Sequence, residues 1–478
     1  MQPAIEDLSR YRAPTTVEKL GIEQSHVEDL FMRRVLTERT TTVTAAAAAC
    51  LLAPRVGIEL AEALREKALI EYLGATGRDY RIQLTEAGQR LTTQRMSTGR
   101  HVSGAPVNLL DYWRTVQAQH SPLAIDRSAM TEAFNDLTVG EDLLDKLGPA
   151  FVSEGAMFLY GPAGTGKTSI AERLNRLYGT AVLVPHFVEM DGQIVAVFDP
   201  ALHEPVEQPP NLDPRWVLCQ RPLVMVGGEM ERSMLDLSFD AATGLSVAPI
   251  QMLATNGILL VDDFGRQSIS PEDILNRWIV PLSRGIDYLL TPAGTKITVP
   301  FELKLVLSTN LDPNSLGDDA FLRRLRNKVF IGPITEQAFH SIVTTTMARH
   351  RIELAPNAIE RLAAVCHEQV GELRPYVAND YAKLALAVCS YENTPQVLDD
   401  WMIDRVTSLY FVHEEANHMP TPQFDFWSSA SSVVASHQSG PPTSSPEDEI
   451  DSAEFMASLE ALAETQTVDG LVDNADLH

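Results

Sequence analysis

Residues 157–169 read MFLYGPAGTGKTS: an apolar run, a glycine-rich turn and the start of a helix. Gly161, Pro162, Ala163, Gly164, Thr165, Gly166, Lys167 and Thr168 fit the pattern G-x-x-x-x-G-K-[S/T], and Ser169 follows. A loop of this kind turns backbone N–H groups inward around phosphate, so its side chains must be small. Lys167 is placed for the β- and γ-phosphates, and the Thr168 hydroxyl for Mg2+. Such a loop sits at the carboxyl end of a buried strand and opens a helix. The surrounding domain is therefore expected to be α/β with a parallel sheet.

The loop specifies phosphate binding but not its consequence, so the rest of the chain must supply the chemistry. GILLVDDFGR, at 257–266, runs four apolar residues into two acids. A buried strand ending this way delivers Asp262 to magnesium and leaves Asp263 to orient an attacking water. A third apolar strand, LKLVLSTN, ends in Asn310. An amide there can contact the γ-phosphate and the water together. Arg323 and Arg324 follow in DDAFLRRLRNKVF, at the end of a short helix, where an arginine reaches a neighbouring copy's nucleotide more easily than its own. GELRPYVANDYAKL places Arg374 at the start of a helix, with Asn379 and Asp380 marking a second position for the same role.

This ordered set resembles the AAA+ ATPases, over residues 120–412. The resemblance implies an ASCE-type P-loop NTPase core with an α-helical lid, binding ATP and Mg2+. It implies magnesium contacts for Thr168 and Asp262, water activation for Asp263, the first sensor for Asn310, and an arginine finger for Arg324 with Arg323 as competitor. It implies the second sensor for Arg374. It also implies a ring, read as a hexamer, that remodels or chaperones a protein partner. Long inserts on both sides of the acids make the chain look nearest to the MoxR-like, chelatase-like and enhancer-activator branches. One departure stands out: the second acid is aspartate where glutamate is usual. The carboxylate then falls short by about 1.3 Å, and a misplacement near 1 Å costs on the order of a hundredfold in rate. A nucleotide-gated scaffold with little hydrolysis is therefore the rival to an active ATPase. A P-loop kinase is disfavoured, having no use for the sensor asparagine, the arginine pair or the lid.

The remaining sequence divides around this core. Residues 24–95 resemble a winged-helix domain, ending in YRIQLTEAGQRL after a Gly-rich tip, with Thr44 as the expected cap of the alanine-rich helix. DNA binding would use the helix around Leu60–Lys67. Glu59, Glu62 and Glu66 stand there against Arg65 and Lys67, so phosphates would be repelled from half of that face. A DNA-linked regulatory ATPase is thus an alternative, and nucleic acid is not the favoured partner. Residues 1–23 are an N-terminal extension, 96–121 a linker, 122–335 the nucleotide-binding domain and 336–415 the lid. The stretch 416–478 is read as a disordered acidic tail: beyond Phe411 the chain carries thirteen acids and no Lys or Arg, within a net charge of -26. Inside it, Ile450, Phe455, Met456, Leu459 and Leu462 share one helical side. Four scattered cysteines without a CxxC pair, and apolar runs too short to span a bilayer, lead to the expectation of a cytoplasmic protein without membrane insertion.

Overall fold

Short runs such as ILLV are apolar at every position, which suits strands covered on both faces. In the computed structural model, which describes residues 2–5, 7–96, 101–120, 125–291, 294–316, 323 and 325–411, ILLV is one of five strands in a wholly parallel sheet. Its order is Leu223–Val226, Ile258–Val261, Lys304–Thr309, Met157–Tyr160, Asn327–Phe330. Alternate residues serve two cores. Leu259 and Val261 pack with Trp278, Ile274 and Phe264 on one face. Ile258 and Leu260 pack with Phe151, Ile170 and Leu174 on the other. Each fully buried Leu or Ile contributes about 1.5–3 kcal/mol. The order has one consequence for the site: the strand ending in Asn310 lies between the strand of the glycine-rich loop and the strand of the acids.

Residues 24–96 form a module of three helices, Gln24–Glu38, Val43–Ala49 and Pro54–Glu66, a twisted hairpin, Ile70–Thr76 with Asp79–Leu84, and a closing helix, Glu86–Met96. Thr41–Thr42 adds a third strand to the hairpin. The helix cap differs from the expected one. Thr42, not Thr44, precedes the alanine-rich helix, and its hydroxyl accepts from Ala45 N, while Thr44 is held by the Asp79 carboxylate.

Between the loop helix and the acid strand the chain builds an insert. DG at 191–192 closes the expected hairpin, Phe187–Met190 with Gln193–Ala196, with both turn residues at positive φ. This hairpin belongs to a second sheet that includes Leu245–Val247, Ser238–Asp240 and Val107–Asn108. Residues 107–119, within the stretch read as linker, supply that strand and a helix, Leu109–Ala118, whose Tyr112 and Val116 are buried in the insert core. The N-terminal extension also joins the insert. Gln2–Pro3 pairs with Thr180–Pro185, and the Tyr11 ring meets Trp216 edge-on at 5.8 Å. Trp278 is fully buried, as core packing requires.

The insert core holds a titratable seam. His203 stacks on Phe198, and His186 meets the same ring edge-on. Asp199 N donates to His203 Nδ1 at 2.9 Å, so the neutral ring carries its proton on Nε2 and donates it to Leu253 O at 3.0 Å. Burial holds this imidazole below its ordinary value of 6.5, against the partial support of the Leu253 and Asp199 carbonyls. The unfolded chain therefore binds the proton more readily, and stability that is complete above pH 6.5 declines as the pH falls below it. The urea midpoint is expected to fall as the pH drops below 6.5, and His203→Gln to reduce that slope. An unchanged slope in the variant would remove His203 from the effect.

The stretch read as a lid is a helical bundle of Glu336–His350, Ala358–Gln369, Tyr376–Glu392 and Asp400–Tyr410, packed around Tyr381, Val343, Leu362 and Ile403. Among the described residues no single helix is long and apolar enough to cross a membrane. All four cysteines are free and buried. The expected acidic tail, 416–478, lies outside the described residues.

Candidate nucleotide-binding site

The loop from Gly161 to Gly166 joins strand Met157–Tyr160 to helix Lys167–Leu174. Two of its glycines are required by close approach. Gly161 has φ 148°, and a Cβ there would meet Ile331 O at 2.1 Å. Gly164 has φ 77°, and a Cβ there would meet the Tyr376 ring of the lid at 2.1 Å. The second contact closes the lid helix directly onto the loop. Lys167 curls back and donates to Gly161 O at 3.0 Å and Pro162 O at 2.7 Å. Burial lowers its pKa, against the pull of Asp262 and Asp263, while Arg374 lowers it further. Thr165 is tied down by a hydrogen bond to Pro162 O.

The sheet order brings the acids under the loop. Thr168 Oγ1 donates to Asp262 Oδ2 at 2.7 Å, and Asn310 Nδ2 donates to Asp263 Oδ1 at 2.6 Å. Asp263 has φ 48°, in the left-handed region, and its N–H is held by Asp262 Oδ1 at 3.0 Å. Residues far apart in sequence thus form one line of polar groups across three strand ends. A hydroxyl and a carboxylate oxygen 2.7 Å apart fit a magnesium ion that takes its other oxygens from water and phosphate. Among the described residues no group of three or more His, Cys, Asp or Glu could hold a metal alone.

Arg374 gives two nitrogens to one oxygen of Glu372, Oε1, at 2.8 Å from Nε and 2.7 Å from a terminal nitrogen, and its other terminal nitrogen donates to Ala163 O at 3.1 Å. The second-sensor candidate therefore rests on the loop through its backbone. Of the competing positions, Asn379 lines the same cleft, and Asp380 accepts from the Tyr410 hydroxyl. The cleft has a volume of about 830 Å³ between the loop, the segment at Thr138–Val139 and the helix residues Ile342 and Tyr376, with Ser169 in its wall. That volume is in the range of small-molecule sites. Arg323 is exposed and does not line it. Arg324 lies outside the described residues.

Three functional neighbours escaped the sequence reading. Tyr376 and Glu372 flank Arg374 within GELRPY, and proximity to that arginine was the available signal. Asp136 binds Arg176 and Arg173, which hold its carboxyl down at about 2 and pin the loop helix to the cleft wall. Its partners lie about forty residues away, and nothing local announces them.

No protein-family model matches the chain, and no curated protein matches it. Solved structures that it is similar to include NtrX from Brucella abortus, at 12% identity and TM-score 0.40, covering 70% of this chain and 64% of that one. The ADP complex of NtrX matches at 12% identity and TM-score 0.37, over 70% and 63% of the two chains. The RuvB Holliday junction branch migration motor of Thermotoga maritima matches at 13% identity and TM-score 0.34, over 60% and 70%. The chain thus aligns with just under two thirds of the NtrX structures.

Proposed function

We propose that this protein is an AAA+ ATPase that hydrolyses ATP with Mg2+ at subunit interfaces of a ring, and remodels a protein partner. The observation that carries the reading is the line Thr168–Asp262 and Asn310–Asp263, set beneath the phosphate loop by a sheet in which a strand separates the loop from the acids. A phosphate loop alone needs no such pair of acids and no asparagine reaching across to one of them.

The roles follow from position. Lys167 gives up its two carbonyl contacts and turns to the β- and γ-phosphates. Thr168 and Asp262 would hold magnesium, which when bound would neutralise charge on the phosphates. Asp263 takes a hydrogen bond from the attacking water, while Asn310 steers both carboxylate and water. Arg374 is released from Ala163 O when phosphate competes for it, so lid and loop move together. Arg324, or Arg323, completes the site of the adjoining subunit by stabilising charge on the transferring phosphoryl.

The regulatory DNA alternative is weakened by two contacts of the N-terminal module, which we read as a winged helix. Glu59, on the helix that would face DNA, accepts from Val17 N at 3.0 Å. Lys67 gives its charge to Glu28 at 2.6 Å. We therefore assign the module to protein docking.

The test is the steady-state ATPase rate per subunit as protein concentration rises. A rate that climbs and saturates, and that falls on the order of a thousandfold in Arg324→Ala, is expected of a site completed in trans. Nucleotide binding without turnover at any concentration would sink the hydrolase reading in favour of a nucleotide-gated scaffold.

A further inference from the structure

Gln267 lies four residues beyond Asp263, on the turn that leaves the acid strand, and belongs to none of the motifs above. Its side chain gathers that turn. Nε2 donates to Asp262 O at 2.9 Å, and lies 3.2 Å from Asp263 O and 3.3 Å from Gly227 O. Oε1 accepts from Gly265 N at 2.8 Å. This orientation of the amide matches its surroundings, with three carbonyl oxygens around the two-hydrogen nitrogen and one N–H at the oxygen.

The turn needs such a brace. Asp263 is held at φ 48°, a conformation that costs a side-chain-bearing residue energy unless its surroundings enforce it. Phe264 N is fixed by Ser308 O at 2.7 Å, on the sensor strand. That bond anchors one side of the turn. The other side, facing strand Leu223–Val226, is anchored by Gln267 through Gly227 O and by Ser268 Oγ on Met230 O at 3.0 Å. The direction of the Asp263 carboxylate is set by this backbone. A one-carbon arm has little freedom to correct an error in it.

We infer that Gln267 is a positioning residue for the reaction: its amide holds the left-handed turn that aims the short Asp263 carboxylate at the water. The inference rests on the ATPase reading above. It also explains how an aspartate serves where a longer arm is usual, since the backbone rather than the side chain is re-aimed.

The experiment compares full-length wild type, Gln267→Met and Lys167→Ala for Mg2+-ATP turnover, equilibrium binding of a fluorescent ATP analogue, and thermal melting. Methionine keeps the length and loses both hydrogen-bonding functions. The expected result is a kcat lower by ten- to a hundredfold, on the order of the cost of misplacing a catalytic group, with KM and analogue affinity within about twofold and melting little changed. A Gln267→Met kcat within about twofold of wild type overturns the role, as does a kcat loss matched by equal losses of affinity and stability. No Lys167-dependent turnover in the wild type overturns the ATPase reading instead. Should Gln267→Met yield no folded protein, Gln267→Asn carries the test. It retracts the amide by about 1.3 Å, and its expected kcat loss is smaller, with affinity unchanged; an unchanged kcat there likewise overturns the role.

Discussion

Asp263→Asn is expected to reduce ATP turnover by about 10²–10⁴-fold, the contribution of a positioned general base, and to leave nucleotide affinity nearly unaltered. The two acids are separable. Asp262 is bonded to Thr168 on the magnesium side. Asp263 accepts from Asn310, 2.6 Å away, and is the acid we propose faces the incoming water. Asparagine fills the same volume, and with its amide turned it can still accept from Asn310. Only the negative charge that draws a proton from water is lost. Single-turnover hydrolysis and titration with a fluorescent ATP analogue separate chemistry from binding. Turnover equal to wild type would take Asp263 out of the mechanism and leave the acids as a nucleotide switch.

Asp213→Ala carries the largest expected effect on stability, a loss of about 3–5 kcal/mol, the range for breaking one side of a buried ion pair. Asp213 and Arg215 are each 4% exposed. The carboxylate takes Arg215 Nε and a terminal nitrogen, at 3.1 and 2.8 Å. The remaining nitrogen donates to Leu20 O at 2.9 Å and Pro106 O at 3.1 Å. One guanidinium therefore fastens the N-terminal extension, the segment before helix Leu109–Ala118 and the insert to one another. Alanine would strand its charge away from water. The urea midpoint of the unit containing the insert is the readout. The double change Asp213→Leu with Arg215→Met should cost less than Asp213→Ala alone, because it removes the buried charge as well as its partner. A single-variant loss below about 1 kcal/mol would show that water reaches the guanidinium.

Legibility followed the range of the interactions involved. The phosphate loop, the acid strand and Asn310 were readable because each is a local pattern: an apolar run that must be a buried strand, ending in the group that its carboxyl end presents. Trp278 and the DG hairpin were readable for the same reason. The helix Leu109–Ala118 was hidden, since the Gly- and Pro-containing residues before it made the whole stretch look like a connector. What buries its Tyr112 is an insert core drawn from strands far along the chain.

The sequence by itself determined that a glycine-rich turn joins a strand to a helix, that two carboxylates and an amide stand at strand ends, and that a helical region with an arginine follows. Backbone sterics and hydrophobic periodicity act within a few residues, so these features needed no partner to be recognised. Only the tertiary structure decided what those groups touch. Strand order placed Asn310 against Asp263 and Thr168 against Asp262. Lid packing set Tyr376 on Gly164 and Arg374 on the loop carbonyl. A glutamine with no motif of its own became the brace of the turn that follows the two acids. Hydrogen bonds of under 3 Å depend on how distant segments come to rest. That is fixed by burial over the whole core and not by any short stretch within it.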